Sequence, residues 1–105
     1  MITISLSTRT LGIEFTHNRG HLIEVVDRSK KLVETNGYTE CEVVEIVGNH
    51  KRALSIGRAS CSLHDQFNKE IGRRIALTRA LKEAELERED RKTVWTVYRG
   101  RKERP

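Results

Sequence analysis

The stretch Gly57–Leu81, GRASCSLHDQFNKEIGRRIALTRAL, changes its repeat partway along, and that change limits what the chain can become. Up to Cys61 it reads as strand. Beyond a polar turn, apolar residues recur at helical spacing. A sheet followed by helices is expected. The junction crowds Cys61, Ser62, His64, Asp65, Phe67, Asn68 and Lys69 into nine positions.

The N-terminal part supports the sheet. Ile2, Ile4 and Leu6 alternate with Thr3, Ser5 and Ser7, and Leu11, Ile13 and Phe15 alternate again after a turn near Thr8–Thr10. This is a hairpin with one buried face. Asn18-Arg19-Gly20 breaks the pattern. His21–Thr35 carries mixed signals. Leu22, Val26 and Val33 follow helical spacing and Asn36-Gly37 is a good helix stop, whereas Val25-Val26 favours strand. We read it as an intervening helix. Thr39–Val47 and Arg52–Cys61 form a second hairpin around Gly48-Asn49, with Gly57 marking a bend or a close backbone approach.

Ser62 or Asp65 can cap the next helix, which runs to about Ala84. With Phe67 as reference, Ile71, Arg74, Ile75, Leu77, Thr78, Leu81 and Ala84 share a broad face, and Gly72, Ala76 and Ala80 line up on another. The large-residue face suits the sheet. The small-residue face suits a neighbouring helix, from this chain or a second copy. After a break over Glu85–Arg88, a last helix places Arg88, Arg91, Val94, Trp95 and Tyr98 together. The expected fold is α+β: an antiparallel sheet from two hairpins, an intervening helix and two C-terminal helices. At 105 residues it is one domain, sheet-rich over 1–61 and helical with a basic tail over 62–105.

Only 36% of residues are hydrophobic and 33% are charged, so the core is small and oligomerisation is an expected source of stability. No apolar run reaches the length of a membrane span, and MITISLSTRT lacks the basic and apolar regions of a signal peptide. A cytoplasmic location with reduced Cys41 and Cys61 is expected. Residues 1–87 carry 13 basic and 12 acidic side chains, and residues 88–105 carry 7 and 3, so the net charge of +5 is concentrated at the C-terminus. That suits either a phosphate-bearing partner or a solvated terminus.

Cys61 and His64 have metal-ligand spacing, but no second close pair completes a zinc set. Cys61, His64 and Asp65 are adjacent in sequence, whereas catalytic triads are assembled in space. No catalytic residue, metal or cofactor is assigned. The turn before the helix offers backbone N–H groups, with Lys69 and Arg73 adding charge, to an anion, or else is simply capped. Arg74 within an apolar arc must snorkel, pair with a carboxylate or reach a ligand. Trp95 and Tyr98, beside Arg91, Arg99 and Arg101, suit a base with phosphates, or a core anchor.

The run GRASCSLHDQFNKEIGRRIALTRAL followed by EREDRKTVW resembles the phage Thoeris anti-defence sponge family. The shared pattern is a strand ending in Cys, a D-x-F-x-K turn, G-R-x-I-A-L-x-R-A on a helix and an R-x-x-x-W helix. The resemblance implies an antiparallel sheet ahead of C-terminal helices and non-enzymatic withholding of a cyclic ADP-ribose-type signal in an infected bacterial cell. It implies a nucleotide held where subunits meet, by aromatic and Arg side chains. It carries over Phe67, Asn68, Arg99 and Arg101 as ligand-binding positions, beside Arg74 and Trp95 from the residue reading. The alternative is a small basic phage protein that binds nucleic acid or inhibits a host protein directly.

Overall fold

The computed structural model describes residues 1–25 and 32–102, with side chains through Gly100. Four strands and two helices follow one another: β1 Ile2–Ser5, β2 Thr10–Val25, β3 Leu32–Val47, β4 His50–Ser62, α1 Lys69–Glu83 and α2 Arg88–Lys102. The strands form one antiparallel meander in the order β1-β2-β3-β4. This is the α+β fold expected from the alternation and the two helical repeats.

The short first turn is closed by Leu6 N–H donating to the Arg9 carbonyl at 2.8 Å. The β3–β4 turn has two residues, with Val47 opposite His50 and Gly48 at φ 60°. A glycine at the first central position with positive φ matches the right-handed twist of a hairpin.

The expected helix over His21–Thr35 is not present in the described part of that segment. Residues 21–25 and 32–35 are strand, and 26–31 lie outside the described residues. β2 and β3 instead pair continuously to Val25↔Leu32, with one bulge between Arg19 and Leu22. The pattern break at Asn18-Arg19-Gly20 is this bulge, with Gly20 at φ 104°. Gly37 is likewise no helix stop. It lies at φ 100°, and a Cβ there would overlap the Asn18 carbonyl oxygen on the facing strand.

The misleading periodicity has a physical cause. In the arm beyond the bulge, Ile23 is 65% and Val25 53% exposed, whereas Glu24 is buried. The Glu24 carboxylate accepts from the Thr35 hydroxyl, from Arg58 at 3.1 Å and from the Ser60 hydroxyl at 3.2 Å. Arg58 also pairs with Glu40 and stacks on Tyr38, 3.9 Å from the ring centroid. A buried carboxylate is tolerated when it is paired and hydrogen-bonded. These partners come from other strands, so the local apolar pattern is inverted.

Both helices cover the same side of the sheet. Ile4, Leu11, Ile13, Cys41, Val43 and Ala59 meet Ala76, Leu77, Ala80 and Leu81 of α1 and Val94 and Tyr98 of α2 in the core. The small-residue stripe is not a free helix–helix surface. Gly72, Ala76 and Ala80 pack on β3 and β4, where Cβ atoms on Gly57 and Gly72 would overlap the α1 backbone and the Thr39 side chain respectively. The Ser55 hydroxyl donates to the Ala80 carbonyl at 2.6 Å across the same seam. Leu77 and Leu81 point inward, and Ile71 and Ile75 are 48% and 40% exposed. Arg74 therefore does not lie within a buried apolar arc. It is more than half exposed, with Nε 3.6 Å from Glu70 one turn back.

Gly57→Ala is expected to destabilise the protein by about 1–3 kcal/mol, because the new methyl meets backbone rather than a movable side chain. Gly100→Ala, with open space around the site, is expected to be neutral or to stabilise by up to about 1 kcal/mol. Urea unfolding of the two variants tests this contrast. Equal midpoints would refute the close strand–helix seam.

Candidate functional site

The first turns of α1 lie over the middle of the sheet, and the candidate site forms around them. The helix cap is Asn68, not Ser62 or Asp65. Its side-chain carbonyl accepts from Ile71 N–H at 3.0 Å, with extended backbone at φ −128° and ψ 111°. Asn is among the best N-cap residues because its short side chain reaches the unpaired first-turn amides. Ser62 is used one step earlier, where its carbonyl accepts from Asp65 N–H at 3.0 Å and its hydroxyl from His64 N–H at 3.3 Å. The Asp65 carbonyl is held by the Asn36 side-chain amide at 3.1 Å.

Capping at Asn68 places Phe67 against β2, at the rim of a cleft shared with β3 and β4. Its half-buried ring meets the His17 ring edge-on, with centroids 6.1 Å apart, and Arg19 lies 5.3 Å from its centroid. His17 Nδ1 and Thr39 Oγ1 share a hydrogen bond at 2.8 Å, since these residues face each other across β2 and β3. Burial holds the His17 imidazole below its usual pKa of 6.5, and the charges of Arg73, Lys69 and Arg19 push it the same way. Neither Arg19 nor Lys69 forms an ion pair among the described residues.

Two clefts flank this turn. One, of about 450 Å³, runs between β4 and α1 and is lined by Phe67, Asn68, Cys61, Ser62, Ile71 and Ile75 among others. The other, of about 510 Å³, lies toward the free part of β2 and includes His17, Arg73, Glu70, Phe15 and Tyr98. Arg73 is bonded to Glu70 at 3.2 Å. Burial alone would lower its pKa, but Tyr98 and Glu70 outweigh this and raise it, so Arg73 keeps its charge.

The expected ligand-binding residues divide into separate places. Phe67 and Asn68 belong to the α1 turn. Trp95 and Arg99 are together on α2, with the guanidinium 5.5 Å from the indole, and the indole meets Tyr98 edge-on at 5.8 Å. Arg74 lines neither cleft and lies beside Glu70. Arg101 lies in the last turn of α2, and its side chain is outside the described residues. Sequence reasoning did not assign His17, Arg19 or Thr39 to the site with Phe67. The available signal was parity: Phe15, His17 and Arg19 alternate onto one face of β2.

The cysteines are poorly suited to nucleophilic attack. Burial, then the nearby Glu42 charge, pushes the Cys41 thiol up to about 12. Slight burial and the Asp65 charge also raise the Cys61 thiol. Among the described residues no three of His, Cys, Asp and Glu cluster as a metal site would require. No helix among them is long and apolar enough to cross a membrane. No protein-family model, curated protein or solved structure matches this chain.

The lowered His17 pKa has a definite sign for stability. The unfolded chain takes up a proton at the ordinary imidazole value, and the folded chain does so only at lower pH. His17 therefore supports folding above about pH 6.5, and its contribution is lost as pH falls through the depressed folded value. His17→Gln should flatten that part of the stability profile. Unfolding free energies at about pH 7.5 and about pH 5.5 check this, and an unchanged slope would show that other groups set it.

Proposed function

We propose that the protein is a non-enzymatic binder of a small anionic nucleotide, of the cyclic ADP-ribose type that the family resemblance implies. The observation that carries this is the set of three cations, Arg19, Lys69 and Arg73, around an imidazole held below its usual pKa, beside the half-buried Phe67 ring. Phosphate oxygens fit such a set through charge-assisted hydrogen bonds, and an adenine fits the aromatic edge of the cleft. The raised thiol pKa values and the pairing of His17 with Thr39 favour retention of the ligand over its conversion. On this reading the protein acts in the cytoplasm of an infected bacterium by withholding a signal from its receptor.

The reading includes a homo-oligomer. The small-residue stripe no longer supports one, because it is buried against the sheet. Ile71 and Ile75 supply the support instead. Both are exposed at the rim of the 450 Å³ cleft, where a second copy could cover apolar surface and close the ligand in. Light scattering should give a mass above 12.1 kDa.

Calorimetric titration tests the binding. A cyclic ADP-ribose-type nucleotide should bind, and linear ADP-ribose and inorganic phosphate should bind more weakly. Arg73→Ala should reduce affinity about ten- to a hundredfold, the range for a hydrogen bond to a charged group. Ligand released by heat should be chemically unchanged. Absence of binding by any nucleotide in the panel, or recovery of a hydrolysed product, would overturn the proposal.

A further inference from the structure

A second cationic surface lies on the same side of the sheet but at the other end of α1. The C-terminal half of α1 and the first half of α2 enclose a groove of about 370 Å³, floored by the buried Leu81. Its rim carries Lys82, Arg88, Arg91 and Lys92, and its wall is the half-buried Trp95. No carboxylate lines it. None of the four cations forms an ion pair among the described residues, although Glu87, Glu89 and Asp90 are close in sequence. From Lys69 to Lys82 the helix rises by about 20 Å, so this groove is distinct from the α1 turn.

Four unpaired cations in a carboxylate-free groove repel one another, and an anion relieves that repulsion. Two features narrow the anion. Along α2 the cations continue past Trp95 to Arg99, which approaches the indole at 5.5 Å. From Arg88 to Arg99 the helix rises by about 16 Å, longer than one diphosphate. A chain with repeated phosphates matches that length. The second feature is the indole itself, which offers a stacking surface between flanking cations. Such a surface accepts an unstacked base, which a duplex does not present and an acidic peptide lacks.

We propose that the α1–α2 groove binds single-stranded nucleic acid, with Trp95 stacking on a base and Lys82, Arg88, Arg91 and Lys92 meeting phosphates on either side. This contact is independent of the nucleotide site at the α1 turn. It gives the basic excess of residues 88–105 a specific place of action.

Trp95 is the single tryptophan of the chain, so its fluorescence reports the groove directly. Titration with a short oligothymidylate should quench it. Neutralising about four phosphates on a single strand should weaken binding roughly fiftyfold between about 50 and about 200 mM salt. The double variant Arg91→Glu, Lys92→Glu changes exposed side chains. It should lose binding by tenfold or more while retaining the wild-type melting curve and nucleotide titration. Arg73→Ala should leave oligonucleotide binding unchanged, so this proposal and that for the α1 turn can fail separately. Absence of quenching would overturn it. Duplex DNA binding as tightly as the single strand, or polyglutamate displacing the oligonucleotide at equal charge concentration, would overturn it too. Loss of oligonucleotide binding in Arg73→Ala alone would also do so, by placing the strand at the other site.

Discussion

The contact on which the rest of the molecule depends is the backbone approach between Gly57 of β4 and the Ala76–Ala80 turn of α1. A helix usually rests on a sheet through large side chains. Here the seam has almost none: Gly57 and Ala59 face Ala76 and Ala80, and Gly72 meets the Thr39 side chain. The Ser55 hydroxyl reaches the Ala80 carbonyl across it. With α1 held so low over β3 and β4, Leu77 and Leu81 join the core cluster that includes Ile4, Leu11, Ile13 and Val94. The aromatic edge of that core follows, with Phe15 5.8 Å from Tyr98 and Tyr98 against Trp95. A larger residue at Gly57 would lift the helix and loosen both ends of this arrangement.

This seam explains why the strands and both C-terminal helices were legible in sequence while their packing was not. Alternation located the strands, and the 3.6-residue repeat located α1 and α2, because those signals are local. The direction of α1 depends on the depth of the surface it meets. Of the large-residue face only Leu77 and Leu81 enter the core, while Ile71 and Ile75 are exposed, and the small-residue face expected to meet another helix lies on β3 and β4 instead. In sequence, Gly57 marks a point of close approach, and Gly72, Ala76 and Ala80 form a stripe. Joining the two observations needs the knowledge that a strand glycine and a helix stripe lie opposite each other.

The β2–β3 arm failed for a different reason. Its inward position is taken by Glu24, and its apolar Ile23 and Val25 face out. Glu24 is tolerated because Thr35, Arg58 and Ser60 come to it, and Arg58 is in turn held by Glu40 and Tyr38. The partners nearest the end of the chain are 34 and 36 residues from Glu24. Residue patterns within one segment carry no trace of such a network. The apolar spacing that remains, at Leu22 and Val33, imitates a helix.

The same distinction governs the candidate site. Phe67 and Asn68 were legible because a turn entering a helix is a local event, and the cap is Asn68 because its carbonyl reaches the Ile71 amide. His17, Arg19 and Thr39 join them only through cross-strand register, which the bulge at Arg19–Leu22 and the glycines at 20 and 37 adjust. The charges then act as two groups rather than one. Burial, with Arg73, Lys69 and Arg19, depresses His17 at the start of α1, whereas Lys82, Arg88, Arg91 and Lys92 surround the groove near its end. Counted along the chain, the basic excess belongs to the C-terminal segment. In space, cations from 1–87 belong to both groups: Arg19, Lys69 and Arg73 to the first and Lys82 to the second. The fold separates these groups by most of the length of α1, so the compact anion and the extended one that we propose would not compete for the same side chains.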